Sequence, residues 1–450
     1  MKVRIEPTLK QDQAWEFLMD DHTKFILYGG AAGGGKSWLG CEWLLTMCYF
    51  YPGSRWFIGR DELKRIRDST LMTFYKVLKH HKIPQSQYKY NGKDHYIEFE
   101  NGSRIDLLQL RYLPSDPMYE RFGSLEYTGG WIEEAGEVNF GAYDTLKSRI
   151  GRHMNMEYGV LPKILITCNP KKNWLYTMFY QPFVKGALEK TMAFIQAFVN
   201  DNKHLDPSYE QNLREIKDKS KRERLLFGNW EYDDDPNALI EFDAILGLYT
   251  NDHVEEDRNR RYITADIAMK GSDLFVIYVW YGFVLVDVKI MPKSGGKEIV
   301  DEINAMRKKH QVPERHVAYD ADGVGSFIGG KGGYLPQAFS FVNGGRPLKK
   351  NDDDENYENL KTQCAYHMAD RVNDGGYYLK CIRDPKDQEE INEELEQVKS
   401  RDRDQEGKLK IVRKEDIKNI IGRSPDRTDA LLMREVFELD YQAKSLPQFV

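Results

Sequence analysis

The run Gly30-Ala31-Ala32-Gly33-Gly34-Gly35-Lys36-Ser37 fits G-x-x-x-x-G-K-[ST] and has suitable flanks on both sides. Residues 25–28 read as a short apolar strand, and residues 38–49 continue as a helix. A strand–loop–helix of this kind commits the chain to an open, mostly parallel α/β sheet. Gly30, Gly33, Gly34 and Gly35, together with Ala32, leave room for backbone N–H groups to turn inward around an anion at the helix N-terminus. Lys36 then meets the β/γ-phosphates and the Ser37 hydroxyl ligates Mg²⁺. The reading is a site for ATP or GTP, with ATP and Mg²⁺ as the expected cofactors.

The rest of the first half keeps alternating strand and helix. Residues 54–60 read as a strand and 61–80 as a charged helix. Three alternating runs, 87–90, 96–100 and 105–110, are separated by Asn91-Gly92 and Asn101-Gly102, a strong hairpin signal. Residues 125–132 and 163–167 read as buried strands, with a helix over 143–149 between them. The pattern predicts a P-loop NTPase sheet carrying an antiparallel ribbon. A helical stretch follows over 208–227. The acidic, proline-containing stretch 232–236 marks a boundary, beyond which the order becomes strand (261–265), strand (274–280), strand (283–290), helix (297–310), strand (316–319). That order opens an RNase H-like domain. The expected division is 1–170 for the ATPase core, 171–235 for a linker or lid, and 236–450 for the second domain. The stretches 323–333 and 351–355 are expected to be loops.

Lys and Arg number 65 against 71 Asp and Glu, a formal charge of −6, so a nucleic-acid partner would need a local basic track. Two clusters offer one: Lys64, Arg65 and Arg67, and Arg346, Lys349 and Lys350. The five cysteines form no C-x-x-C pair, which suits a reducing compartment and no zinc site. Residues 1–10 carry charges and no apolar signal core, and the most apolar stretch, 274–286, is too short to span a bilayer. A soluble, intracellular protein is expected.

A phosphate loop needs an acidic element on a neighbouring strand to hold Mg²⁺ and polarise water. Trp131-Ile132-Glu133-Glu134-Ala135 supplies two carboxylates. Glu133 is expected to support Mg²⁺ through water, and Glu134 to activate the attacking water. Ile164 to Pro170 ends a further strand in small polar residues, where Thr167 and Asn169 are placed to sense the γ-phosphate.

Taken in order, the phosphate loop, the N-G-S hairpin, W-I-E-E-A and I-T-C-N-P resemble the ATPase of the large terminase subunit of tailed double-stranded DNA phages. Leu225-Leu226-Phe227-Gly228-Asn229-Trp230 resembles the segment that closes that ATPase. The resemblance implies ATP-driven translocation of double-stranded DNA into a procapsid and metal-dependent cutting of concatemeric DNA. It also implies a small terminase subunit, a portal protein and further copies of the chain in a ring as partners, in the cytoplasm of an infected bacterial host. Two departures stand out. The family's usual acidic pair is Asp-Glu, where this chain has Glu133-Glu134. Ala32 occupies a loop position that is arginine in many members, so Arg121, and after it Arg149 and Arg152, are the candidates for an arginine supplied to a neighbouring subunit.

In the second half, Asp266 ends the first strand, Asp320 ends the strand after the helix, and Asp429 lies near the start of a late helix. Three carboxylates so placed suit two Mg²⁺ or Mn²⁺ ions clamping an attacking water and a leaving 3′-oxygen. The segment Asp320-Ala321-Asp322-Gly323-Val324-Gly325 resembles the terminase nuclease motif, which makes Asp320 the ligand and Asp322 its support. Ser424 and Pro425 suit the N-cap and first position of the late helix, where Asp426 complements the dipole. Asp273 reads as a turn residue. Two other functions fit the same motifs: a helicase-nuclease of DNA repair, which would need further helicase motifs, and a nucleotide-switched DNA-binding adaptor with an inactive nuclease fold.

Overall fold

In the computed structural model, the described residues are 7–439 except 114, 233–234, 269–272, 293–294, 323–327, 329–332 and 402–406. The chain forms two units, residues 1–233 and 234–450. The expected boundary at 232–236 and the expected loop at 323–333 fall partly outside the described residues.

In the first unit the apolar β1 (Phe25–Gly30) lies one strand in from the edge of an eight-stranded sheet, between β7 (Ile164–Cys168) and the edge strand β8 (Met192–Ala197). Leu27 is opposite Ile166 on one side and Phe194 on the other, both in parallel register. Outward from β7 come β6 (Gly129–Ile132), β2 (Arg55–Arg60) and β5 (Arg104–Gln109), all parallel. β4 (Tyr96–Phe99) and β3 (Tyr88–Asn91) complete the sheet as antiparallel neighbours, so the ribbon read from the Asn-Gly signals extends the same sheet. Because the central strands are parallel, the ends of β1, β6 and β7 meet at one edge, where α/β sheets bind their ligands.

Four expectations need correcting here. The strand read over 125–132 is confined to Gly129–Ile132. The helix read over 61–80 is interrupted by a π turn at Ile66–Thr70 before its regular part, Leu71–His80. The helix read over 208–227 is two helices, Pro207–Arg214 and Lys219–Leu226. Residues 171–235 are more than a linker or lid, because β8 lies within them beside β1.

In the second unit β10 (Phe275–Tyr281) is antiparallel to β9 (Arg261–Asp266) and to β11 (Val284–Met291). β12 (Val317–Asp320) is parallel to β9 and to β13 (Phe339–Phe341), giving the order β11-β10-β9-β12-β13. This is the RNase H-like arrangement expected from the sequence. Successive β10 side chains face opposite ways. Phe275, Ile277 and Val279 join the core under the helix Gly296–His310, and Val276, Tyr278 and Trp280 join the core under the helices Leu360–Asn373 and Asp426–Leu432. The late helix begins one residue later than expected, at Asp426, with Pro425 as its N-cap.

Candidate nucleotide and metal sites

The loop after β1 is held open from outside. The carbonyl of Gly33 accepts from Asn202 Nδ2 (2.6 Å), that of Gly34 from the Tyr28 hydroxyl (2.9 Å), and that of Gly35 from Gln11 Nε2 (3.0 Å). In a trans peptide the N–H points opposite its carbonyl, so fixing these three oxygens outward turns the N–H groups of Gly34, Gly35 and Lys36 toward the loop interior. Gly33 and Gly35 hold φ values of 77° and 78°, where a side chain would be strained. A Cβ on Gly30 would strike the Ala197 carbonyl of β8.

Lys36 opens the helix Lys36–Phe50 and is buried. Its ammonium donates to the carbonyls of Ala31 (2.6 Å) and Gly30 (3.2 Å) and to Asn169 Oδ1 (3.1 Å). Burial lowers its pKa, against the opposing charge of Glu134. Asn169 Nδ2 in turn donates to Glu134 Oε2 (3.4 Å), so Lys36, Asn169 and Glu134 form one chain across the sheet edge. Glu134 holds φ 49°, an uncommon conformation for a residue with a side chain and one often found at functional sites. Burial raises its pKa and the Lys36 charge opposes the rise, which leaves a carboxylate more basic than a solvated one.

Glu133 is buried, accepts from the Thr70 hydroxyl, and stands 3.6 Å from Arg60 Nη1. Thr167 is turned into the core, where its hydroxyl accepts from Trp131 Nε1 (2.9 Å). Of the two residues expected to sense phosphate, Asn169 is the one that reaches Lys36. Arg121 pairs with Asp116 (2.6 Å) and donates to the Arg111 carbonyl (2.7 Å). Arg149 donates to the Gly123 carbonyl, and Arg152 is exposed. None of these contacts is with the loop.

Several partners escaped the sequence reading: Gln11, Asn202, Arg60, Thr70 and Arg224. Arg224 Nε donates to the Pro170 carbonyl (2.6 Å), and the Ala32 N–H donates to the Leu225 carbonyl (2.8 Å), which ties the closing segment to the loop. Only Gln11 carried a local signal, the capping box Thr8-x-x-Gln11 at the start of the helix Leu9–Met19.

In the second unit, Tyr319 pairs with Ala265, so the next residues, Asp320 and Asp266, end neighbouring parallel strands side by side. The helix Asp426–Leu432 packs on β9 and β10 and brings Asp426 and Asp429 to the same edge. Burial pushes Asp266 well above the usual carboxylate range; Lys414 pulls it back, while Asp426, Asp429 and Asp320 add to the push. Burial also raises Asp320 and Asp426. Asp429 is the exception. Against its burial, Lys361 (2.5 Å) and Lys414 (2.8 Å) hold it down at about 2. Asn343 Nδ2 donates to Asp322 Oδ2 (2.8 Å) and Asp320 Oδ1 (3.3 Å), so Asp322 supports Asp320 through Asn343. Asp426 Oδ2 accepts from the Leu274 N–H (2.6 Å), and Asp273 pairs with Lys418 (3.1 Å).

Among the described residues, no three His, Cys, Asp or Glu side chains already stand close enough together to share an ion. The donor set is nonetheless all oxygen and mutually repelling, with Asp266 and Asp429 buried and Asp320 half-buried, which is the chemistry that Mg²⁺ or Mn²⁺ relieves. Lys361, Lys414 and Asn343 are further residues that sequence spacing did not reveal.

Residues 27–245 match the family model described as Terminase large subunit, T4likevirus-type, N-terminal. No curated protein matches the chain. Among solved structures, the large terminase of the thermophilic bacteriophage D6E is 13% identical, covers 96% of this chain and 100% of its own, and has a TM-score of 0.44. The same protein in complex with ADP gives 14%, 95%, 98% and 0.42. A mutant nuclease domain of the large terminase subunit of bacterial virus Sf6, with manganese, gives 19%, 44%, 98% and 0.34. The match over residues 27–245 makes that part of the chain similar to the N-terminal part of large terminase subunits.

Proposed function

We propose that this chain is the large subunit of a viral DNA-packaging motor, an ATPase that moves double-stranded DNA into a procapsid and a metal-dependent endonuclease that cuts concatemeric DNA. The observation that carries the reading is the Lys36–Asn169–Glu134 chain at the carboxyl edge of the sheet, inside the segment that matches the terminase family. The inward N–H groups and Lys36 bind the nucleotide phosphates, with Gly30, Gly33, Gly34 and Gly35 shaping the cradle. Ser37 and Glu133 are the residues that would hold Mg²⁺, Glu133 through water. Glu134 takes the proton of the attacking water, and Asn169 keeps Glu134 and Lys36 in register. Arg121, Arg149 or Arg152 serves a neighbouring copy in a ring, since their contacts within the chain leave the loop's own charge to Lys36.

In the second unit Asp266, Asp320 and Asp429 are the residues that would hold Mg²⁺ or Mn²⁺. Ions so held lower the pKa of a bound water and stabilise the leaving oxygen. Asp322, through Asn343, orients Asp320, and Lys361 and Lys414 keep Asp429 ionised. The small terminase subunit and the portal are the partners of this motor, and the host cytoplasm is its place.

ATP hydrolysis tests the first activity. Lys36→Ala is expected to lower the rate by roughly 10²–10³, as loss of one charge-stabilising donor does. Glu134→Gln is expected to keep nucleotide binding and to lose roughly 10²–10⁴ in rate. Wild-type rates in both variants would remove the assignment.

A further inference from the structure

The second unit carries a cavity of about 510 Å³ that shares walls with the acidic edge of β9 and β12. Lys361 and Lys414 line it while holding Asp429, and Asn343 lines it while holding Asp320 and Asp322. One side chain's reach therefore separates the cavity from the carboxylates. Arg401, at the end of the short strand Ser400–Arg401, and Arg413, just before the helix Lys414–Ile421, bring the lining cations to four, against two carboxylates, Glu358 and Glu415. Arg401 stands 3.5 Å from Glu358, and Arg413 is exposed.

The cavity also contains the start of the helix Leu360–Asn373, but its backbone is already engaged. The Lys361 N–H donates to the Asn343 carbonyl (3.2 Å) and the Thr362 N–H to Asn359 Oδ1 (2.8 Å). The recognising groups are therefore the side-chain cations. A net positive cavity beside a carboxylate cluster suits a chain of regularly spaced anions that continues from the cluster into the cavity. Successive phosphates of one DNA strand, about 3.4 Å apart along the duplex axis, form such a chain.

We infer that this cavity, through Arg401 and Arg413 with Lys361 on its inner wall, binds backbone phosphates of the DNA strand next to the one being cut. The inference rests on the nuclease reading of the acidic edge. Arg401 and Arg413 are positioning residues: they hold the strand in register and touch no reacting atom.

The test uses the full-length chain and a fluorescent DNA duplex in Ca²⁺, with binding followed by anisotropy over a series of salt concentrations. Arg413→Ala, Arg401→Ala and the double variant are compared with wild type. Lys308→Ala is the control, an exposed cation on the helix Gly296–His310, which packs on the other face of the sheet. Each pocket substitution is expected to lower the log–log salt slope by about one, while Lys308→Ala leaves it unchanged. In plasmid cutting, the double variant is expected to raise KM about tenfold or more, with kcat kept within about twofold. A double variant with the wild-type slope and KM overturns the inference, and so does an equal loss of slope in Lys308→Ala. If the wild type cuts no DNA, the nuclease reading fails, and the binding series alone decides whether the cavity takes phosphate.

Discussion

At the scale of single residues, the two acidic sites differ in what holds their carboxylates. Glu134 is braced by Asn169 and faced by Lys36, so its loss removes a proton acceptor and little packing. Asp429 lies between Lys361 and Lys414, so its loss leaves two ammonium groups without their shared partner. Asp429→Asn is therefore expected to cost about 3 kcal/mol in stability as well as cutting, the lower end for a broken buried pair because Lys414 is partly solvated. Asp320→Asn, whose carboxyl is partly exposed and hydrogen-bonded to an amide, is expected to abolish cutting with a stability change under about 1 kcal/mol. Chemical denaturation of both variants beside a plasmid assay separates the two; equal stability losses would contradict the difference in pairing.

At the scale of elements, two contacts carry predictions. Gly228 holds φ 60°, and a Cβ there would lie 2.7 Å from the Ala31 nitrogen. Gly228→Ala is expected to destabilise the first unit by about 1–3 kcal/mol and to slow ATP hydrolysis, because the closing segment and the loop share this contact. A variant with wild-type melting and turnover would show that the contact is incidental. The second contact ends the helix Leu9–Met19. Lys163, just before β7, donates to the carbonyls of Phe17 (2.8 Å) and Thr23 (2.6 Å) and to Asp20 (2.7 Å). Burial works to raise the Asp20 pKa, but Lys163 and Thr23 hold it at about 2. A carboxylate whose folded value lies below its unfolded value stabilises the fold above the unfolded value, near 4, and loses that contribution as pH falls through about 2. Lys163→Met is thus expected to lower stability by about 2 kcal/mol or more at pH 7, with the gap to wild type closing toward pH 2. A gap independent of pH would place the loss in the carbonyl contacts instead.

Elements were legible in the sequence where local chemistry alone decides them. The phosphate loop, its strand and helix, and the three strands that open the second unit follow from glycine spacing and short apolar runs broken by turns. β8 was hidden because Met192–Ala197 is a short run in a stretch of mixed period, made a strand by pairing with β1. The strand over 125–132 is shorter than the apolar Leu125 and Tyr127 suggest, because pairing with β2 begins at Gly129 and pairing with β7 at Gly130. Glu133, Glu134, Asp266 and Asp320 are legible as acids at strand ends, and Asp429 as an acid near the start of a late helix. Their partners Lys361, Lys414, Asn343 and Asn202 are not, since no spacing in sequence places them across the fold.

At the scale of the whole molecule, each unit has a hydrophobic core of its own, with Trp43, Trp56 and Trp131 in the first and Trp280, Tyr278 and Phe341 in the second. A unit with its own core is able to fold alone. Residues 234–450 expressed separately are expected to melt cooperatively and to cut DNA, and a melt without a transition would contradict that independence. One chain with two such cores is expected to carry two separate engines. The most direct test of this is cleavage of supercoiled plasmid in Mg²⁺ or Mn²⁺ by the full-length protein, Lys36→Ala and Asp320→Ala, with ATP hydrolysis measured on the same samples. Wild type and Lys36→Ala are expected to cut, Asp320→Ala is not, and Asp320→Ala is expected to keep ATP hydrolysis. Cutting that survives Asp320→Ala, or its absence from the wild type in both metals, would contradict that expectation.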